Sequence, residues 1–325
     1  MRLIYLSSFL YLLLAAFPAL AQEPFAPQQK HLEKTFKINP EGDSLQLDVF
    51  YPDSLLAVQK APVIVVIHGG GWVDGNRSLE TIPYMVEFRR RFNANGFIVA
   101  SIDYTLPSKN VHFPSPIVDC KDAVRWLRAN SAQLGIDSEN IGLWGGSAGG
   151  HLALLAAYTD DDVWKGEPGL ASYSAKVDYV IDNFGPTDLN ALFRPNVGLF
   201  SKLLAKIFMP ELLGIREKLM FALTGHSLKT EKPQLMESLS LYSPINYVSS
   251  RPVRTLIIHG SADNVVPIRQ SKNLAELLQK NNIPFKFITV KKGDHGLNNI
   301  SDQEMVLLIK QTIAFVTQSD LSLVK

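Results

Sequence analysis

The segment Gly145-Gly146-Ser147-Ala148-Gly149 constrains this chain more than any other stretch. It follows the apolar run Ile141-Gly142-Leu143-Trp144 and precedes apolar residues at helical spacing. That order predicts a strand, a very tight turn and a helix, with Ser147 on the turn. Glycine accepts backbone angles and a close approach that a Cβ would forbid. The turn therefore holds the Ser147 hydroxyl up at the C-terminal edge of a sheet. A second glycine cluster, His68-Gly69-Gly70-Gly71-Trp72, ends the run Pro62-Val63-Ile64-Val65-Val66-Ile67. Such an unbroken β-branched run reads as a central strand buried on both faces, the habit of parallel sheets. Three glycines at its end leave backbone N–H groups unshielded and free to point at a ligand. Donors of this kind suit a reaction that concentrates negative charge on one oxygen, and each contributes a factor of roughly 10² to 10³ in rate.

Strands and helices alternate along the rest of the chain, which predicts an α/β fold with a mostly parallel central sheet flanked by helices. Leu45 to Tyr51 alternates as an early, half-buried strand, Gly96 to Ile102 follows the glycine loop, and Val177 to Asp182 follows the Ser147 turn. The helix before Gly96 carries Arg89-Arg90-Arg91, read as a solvated face. From Leu189 to about Ser240 the rhythm breaks, with no strand and apolar residues at helical spacing: Phe200, Leu203, Leu204, Ile207 and Phe208, then Leu212, Leu213, Ile215, Leu219 and Met220. This insertion reads as a helical cap. Its Leu, Phe and Met side chains either pack on the core or line an acyl or aromatic pocket.

The two glycine motifs together resemble the α/β-hydrolase superfamily. More narrowly they resemble the esterases with an HGGG-type loop, the hormone-sensitive-lipase-like carboxylesterases and the xylan and feruloyl esterases. Asp103-Tyr104-Thr105-Leu106-Pro107 is similar to that family's D-Y-R-L-x motif, with Thr105 where arginine is usual. The resemblance runs from about Leu45 to the C-terminus, and implies a serine esterase that needs no cofactor or metal. It also implies an oxyanion hole of Gly70, Gly71 and Ala148; spacing alone does not separate Gly69 from Gly70. In this fold the acid and then the histidine follow the serine in chain order. Four histidines lie after Ser147. His151 is one helical turn beyond the serine and cannot swing back to it, so a structural role is expected. His226 lies in the cap with no acid strand before it. His259 ends the run Val253 to Ile258 within a segment similar to the family's H-G-x-x-D, whose aspartate is the acid and whose histidine is not catalytic. That leaves His295, in Lys292-Gly293-Asp294-His295-Gly296, as the base, and Asp263 as the acid. Asp294 is the competitor, but adjacent residues in a tight loop rarely present side chains to each other.

Composition excludes other classes. The 325 residues are 46% hydrophobic and 19% charged, ordinary for one α/β domain, and a net charge of +1 gives no electrostatic case for nucleic acid. Lys291-Lys292 is one solvated pair. There is one cysteine and no H-E-x-x-H or C-x-x-C. Cys120 shares an apolar helix face with Ile117, Val124 and Leu127 and reads as a small core hydrophobe. At the N-terminus, Met1-Arg2, an apolar stretch from Leu3 to Leu20 and Ala19-Leu20-Ala21 have the parts of a secretory signal peptide, residues 1–21, cleaved near Ala21, with an uncleaved anchor as the alternative. No cysteine stands at the cleavage point, which excludes a lipoprotein. A loose polar extension, residues 22–44, is expected before a hydrolase domain spanning 45–325. The expected protein is thus secreted or periplasmic, with no stable membrane span after cleavage. Its expected partner is a small-molecule or carbohydrate ester with a short-chain or aromatic acyl group, such as acetyl-xylan or a feruloyl ester. An arylformamidase-type amidase shares the H-G-G-x-W loop and is the rival enzyme. A catalytically dead hydrolase fold acting as a binding module is the rival from another class.

Overall fold

A computed structural model describes residues 31–52, 60–80, 83–194 and 210–318. The expected signal peptide lies outside the described residues, as do Phe200, Leu203, Leu204, Ile207 and Phe208 of the cap.

Among the described residues, eight strands form one sheet in the order β1-β2-β4-β3-β5-β6-β7-β8. They are β1 (His31–Ile38), β2 (Ser44–Phe50), β3 (Ala61–Ile67), β4 (Ile98–Ile102), β5 (Ile136–Gly146), β6 (Tyr179–Asn183), β7 (Arg254–Gly260) and β8 (Phe285–Val290). The pairs β1–β2 and β2–β4 are antiparallel, and every other pair is parallel. This is the α/β-hydrolase fold that the two glycine motifs imply.

Side-chain alternation along β3 explains why its run is apolar without a break. Val63, Val65 and Ile67 enter one core, Ile64 and Val66 the other, and all five are buried. A polar residue at any of them would meet a dry core on one face or the other. The first core is closed by α2 (Ser115–Ala129), α4 (Ala148–Tyr158) and α8 (Arg269–Lys280); the short α3 (Ser131–Leu134) links α2 to β5. Phe88 and Phe92 of α1 (Pro83–Ala94), with Leu308, Ile309 and Phe315 of α9 (Asp302–Val316), close the second. Ile117, Cys120, Val124 and Leu127 lie together in the first core, as their spacing on α2 predicts. Burial pushes the Cys120 thiol well above its ordinary pKa, so it stays a neutral hydrophobe. Arg89 pairs with Glu80, and Arg90 and Arg91 both pair with Glu87, so the arginine run is a surface ion-pair face.

Residues 22–44 need correcting where they are described. His31–Ile38 is an edge strand paired along its length with β2, from His31↔Phe50 to Ile38↔Ser44. Among the described residues, the sheet therefore begins at His31, before Leu45. Only Phe36 of this strand is buried, so its charged, exposed positions mask it as a loose segment and also protect the open edge from pairing with other chains. Lys37 anchors it, reaching Asp119 at 2.8 Å and Asp122 at 2.7 Å on α2.

The cap follows β6. It contains α5 (Leu189–Phe193), α6 (Pro210–Thr224) and α7 (Lys232–Leu241) before the chain re-enters the sheet at β7. Met220, Leu223, Leu235 and Leu239 are buried in the first core, so this part of the insertion is packed down onto the domain.

Candidate active site

Ser147 is the hinge between β5 and α4, with φ 56° and ψ −124°. That left-handed φ is costly for a residue with a side chain, and local packing holds it there. Its N–H donates to the Asn183 carbonyl at 2.8 Å, while its carbonyl accepts from the His151 N–H at 3.1 Å. The flanking glycines are required by approach distance. A Cβ on Gly145 would lie 2.2 Å from the Gly149 carbonyl oxygen, and one on Gly149 would lie 2.1 Å from that of Ile67. The start of α4 is thereby pressed against the ends of β3 and β5, directly beside the glycine loop.

Two loops at the same sheet edge bring Asp263 and His295 to Ser147. His295, after β8, has Nε2 at 3.0 Å from Ser147 Oγ and Nδ1 at 2.8 Å from Asp263 Oδ2. Asp263, in the loop after β7, also accepts at Oδ1 from the N–H groups of Val265 and Val266 at 2.8 and 2.9 Å. Burial works to raise its pKa. Hydrogen bonds from His259, His295 and the Val266 amide outweigh that, and the carboxyl is held well below its usual range. Asp294 points elsewhere, accepting the Asn298 N–H at 2.8 Å.

His259 has a role that the sequence does not reveal. Its Nε2 lies 2.9 Å from the Val266 carbonyl and 3.2 Å from Asp263 Oδ2, and its Nδ1 lies 2.7 Å from Ser271 Oγ. A single N–H at Nε2 is shared between carbonyl and carboxylate, so the buried His259 imidazole braces Asp263. His226 pairs with Glu231 within the cap.

The glycine loop is fastened from several sides. The His68 Nδ1–H donates to its neighbour's carbonyl, Gly69 O, at 2.8 Å, and its ring stacks on Tyr104 at 4.2 Å between centroids. Tyr104 Oη donates to the carbonyls of His68 and Gly69. Burial lowers the His68 pKa, so this ring is neutral. The Gly70 carbonyl accepts from Val73 and Asp74. In a trans peptide the N–H points opposite the preceding carbonyl. The N–H groups of Gly70 and Gly71 are thus turned away from these bonds, and neither has an acceptor among the described residues. Ala148 opens α4, where the first amides have no intrahelical acceptor. Downstream, Arg77 pairs with Asp103, Asp48 and Glu33, tying the end of the loop to the sheet. Asp103 of the D-Y-T-L-P segment is therefore an anchor for the loop. Thr105, buried, takes its place through its N–H on Asp119 and its hydroxyl against Asn39.

Ser147 and His295 open on a cleft of about 470 Å³. Gly69 and Gly70 form one wall and Asn298 another, with Leu79, Met85 and Phe184 as apolar lining; Gly71 is not part of the wall. Among the described residues, none from the cap lines this cleft. Cap residues Ile215, Leu219 and Phe221 instead border a separate groove with Val73 and Pro107. Among the described residues, no group of three or more His, Cys, Asp and Glu side chains is placed to hold a metal ion, and no helix is long and apolar enough to cross a membrane.

Residues 47–278 match the family model BD-FAE. The chain belongs to that family. It is 30% identical over 255 residues to Esterase LipQ of Mycobacterium tuberculosis, which spans 78% of this chain and 54% of the relative. The chain spans about half the length of the curated relatives it matches. A truncated carbohydrate esterase from gut microbiota superposes with a TM-score of 0.69 at 26% identity, covering 91% of this chain and 99% of the other. A thermophilic esterase from Thermogutta terrifontis, in a butyrate-bound structure, gives 0.68 at 22% identity, over 91% and 96%, and shares the fold.

Proposed function

We propose that this member of the BD-FAE family hydrolyses carboxylic esters through an acyl-serine intermediate on Ser147. The observation that carries this reading is the continuous chain Ser147 Oγ, His295, Asp263 at 3.0 and 2.8 Å, facing the cleft. His295 Nε2 takes the proton as Ser147 Oγ bonds to the ester carbonyl carbon, and the carbonyl oxygen becomes the oxyanion. Gly70, Gly71 and Ala148 supply N–H donors to that oxygen; their lack of acceptors among the described residues and the helix dipole at Ala148 support the assignment. Collapse of the intermediate breaks the ester C–O bond, and His295 returns the proton to the departing alcohol. Water then adds to the acyl-serine by the same route in reverse, with His295 as base, releasing the acid and restoring Ser147. Asp263 fixes the His295 tautomer and stabilises the imidazolium.

The substrate class we favour is a short-chain or aromatic acyl ester on a carbohydrate. A cleft of about 470 Å³ suits a short or aromatic acyl group, and Asp74, Asn76, Ser78 and Asn298 offer polar groups at its walls. The gut-microbiota neighbour is itself named a carbohydrate esterase. The apolar stretch from Leu3 to Leu20 with its A-x-A site would export the enzyme to where such polymers are. One panel compared by kcat/KM tests the reading: p-nitrophenyl esters from acetate to palmitate, acetylated xylan, methyl ferulate and N-formylkynurenine. We expect acetyl and feruloyl esters to lead. A maximum at palmitate would make the protein a lipase, and a dominant N-formylkynurenine rate would make it an amidase.

A further inference from the structure

One buried imidazole outside the triad touches three separate parts of the active-site edge. His151, on α4, is fully buried. Its Nδ1 accepts the indole N–H of Trp72, the residue that follows the three loop glycines, at 3.1 Å. Its Nε2–H donates to the carbonyl of Tyr242, just past α7 of the cap, at 2.7 Å. Its own backbone N–H holds the Ser147 carbonyl. The Trp72 ring stands edge-on to the imidazole at 5.3 Å and Phe113 stacks on it at 5.7 Å, while Tyr242 Oη closes the circuit on the Phe113 carbonyl at 3.1 Å.

These bonds specify one chemical form. Trp72 has only a donor and the Tyr242 carbonyl only acceptors, so the ring must be neutral with its proton on Nε2. Trp72 also has a left-handed φ of 68°, a conformation that a bulky residue keeps only when its surroundings enforce it. Its side chain is buried in the first core, away from the cleft. Trp72 therefore acts on the cleft through the backbone on either side of it, which includes the glycines before it. We infer that His151 is a positioning residue for the oxyanion loop, setting the direction of the Gly70 and Gly71 N–H groups through its bond to Trp72 while tying that loop to the elbow helix and the cap. The inference rests on the proposed esterase reading and adds to it a residue that never touches substrate.

Misplacing donors that act on the transition state lowers kcat while leaving KM nearly alone. The test uses the full chain and p-nitrophenyl acetate, with fluorophosphonate labelling to count active serines. His151→Phe keeps a ring in the space and removes both hydrogen bonds; kcat should fall about 10- to 100-fold, with KM within about threefold. Trp72→Phe removes the donor alone and should give a loss of the same order. The double variant should lose little more than either single one, because one link has been cut twice. His151→Gln should recover most of the rate, since its amide carries an acceptor and a donor spaced much as the two ring nitrogens are. If His151→Phe does not fold, Trp72→Phe and His151→Gln still decide. Parent kcat in folded Trp72→Phe and His151→Phe, with only melting temperature lowered, would reduce His151 to a packing residue. Additive losses in the double variant would also overturn the link. A parent chain that neither labels nor turns over would instead sink the esterase reading, and this inference with it.

Discussion

The two halves of the active-site edge are held by different physics. On the β7–β8 side, His259 and His295 both contact one oxygen of Asp263, and two backbone amides hold the other. That side is organised around a buried charge. On the β3–β5 side, Trp72, His151 and the Tyr242 carbonyl form a chain of neutral donors and acceptors walled by aromatic rings. The division suits the chemistry we propose for each side. Proton transfer at His295 needs a fixed negative charge behind the ring, whereas oxyanion stabilisation needs donors whose direction does not change as charge builds.

The largest expected effect breaks the charged side. Asp263→Asn presents a donor where His295 Nδ1–H needs an acceptor, and kcat should fall by about 10⁴, the scale of the equivalent change in a serine protease. A loss of only a few-fold on p-nitrophenyl acetate would remove the carboxylate from the centre of this side.

A smaller effect separates the two sides by pH. The His151 pKa is pushed down to about 3, by burial first, with the Tyr242 carbonyl pulling weakly the other way. An unfolded histidine titrates near 6.5. Between these values the unfolded chain binds the extra proton, so stability falls as pH drops through about 6.5 toward 3. At pH 5 the loss from this residue is about 2 kcal/mol. Asp263 has the same sign in the same accounting, but in a lower pH window. Its lowered pKa gives stability that is complete above the ordinary carboxylate range and disappears only as pH falls below it, so it is constant between pH 7.5 and 5. Urea unfolding of parent and His151→Gln at the two pH values should therefore show the gap between them narrowing by about 2 kcal/mol at pH 5. A pH-independent gap would mean that the imidazole is not kept neutral by burial.

The smallest effect sharpens the boundary of the charged side. Asp294 is next to His295, yet its carboxylate accepts the Asn298 backbone N–H. Asp294→Asn should change kcat by less than about tenfold, through loop adjustment alone. A loss rivalling that of Asp263→Asn would transfer the acid's role to it.

The meeting of Ser147, Asp263 and His295 is readable in the sequence because each sits on special backbone, glycine turns in two cases and a strand-end loop in the third. The bracing histidines are only half readable. Elimination removes His151 and His259 as bases, but their partners Trp72, Tyr242 and Ser271 come from other elements, and nothing local predicts those contacts. Strand β1 escaped because an edge strand can be charged on most positions, so alternation there resembles a solvated tail. The cleft walls escaped for a related reason. Apolar helical spacing at Leu219 and Met220 signals burial without saying against what, and among the described residues the cleft is instead lined by Leu79, Met85 and Phe184.

The central claim is that one serine, activated by His295 and Asp263, does the covalent chemistry. Fluorophosphonate labelling followed by peptide mapping tests it most directly, because the probe bonds only to an activated nucleophile. We expect one adduct per chain on Ser147, lost in Ser147→Ala and strongly slowed in His295→Ala, with both variants folded. An unlabelled parent, or a Ser147→Ala chain that still labels at another residue and still hydrolyses p-nitrophenyl acetate, would contradict the account.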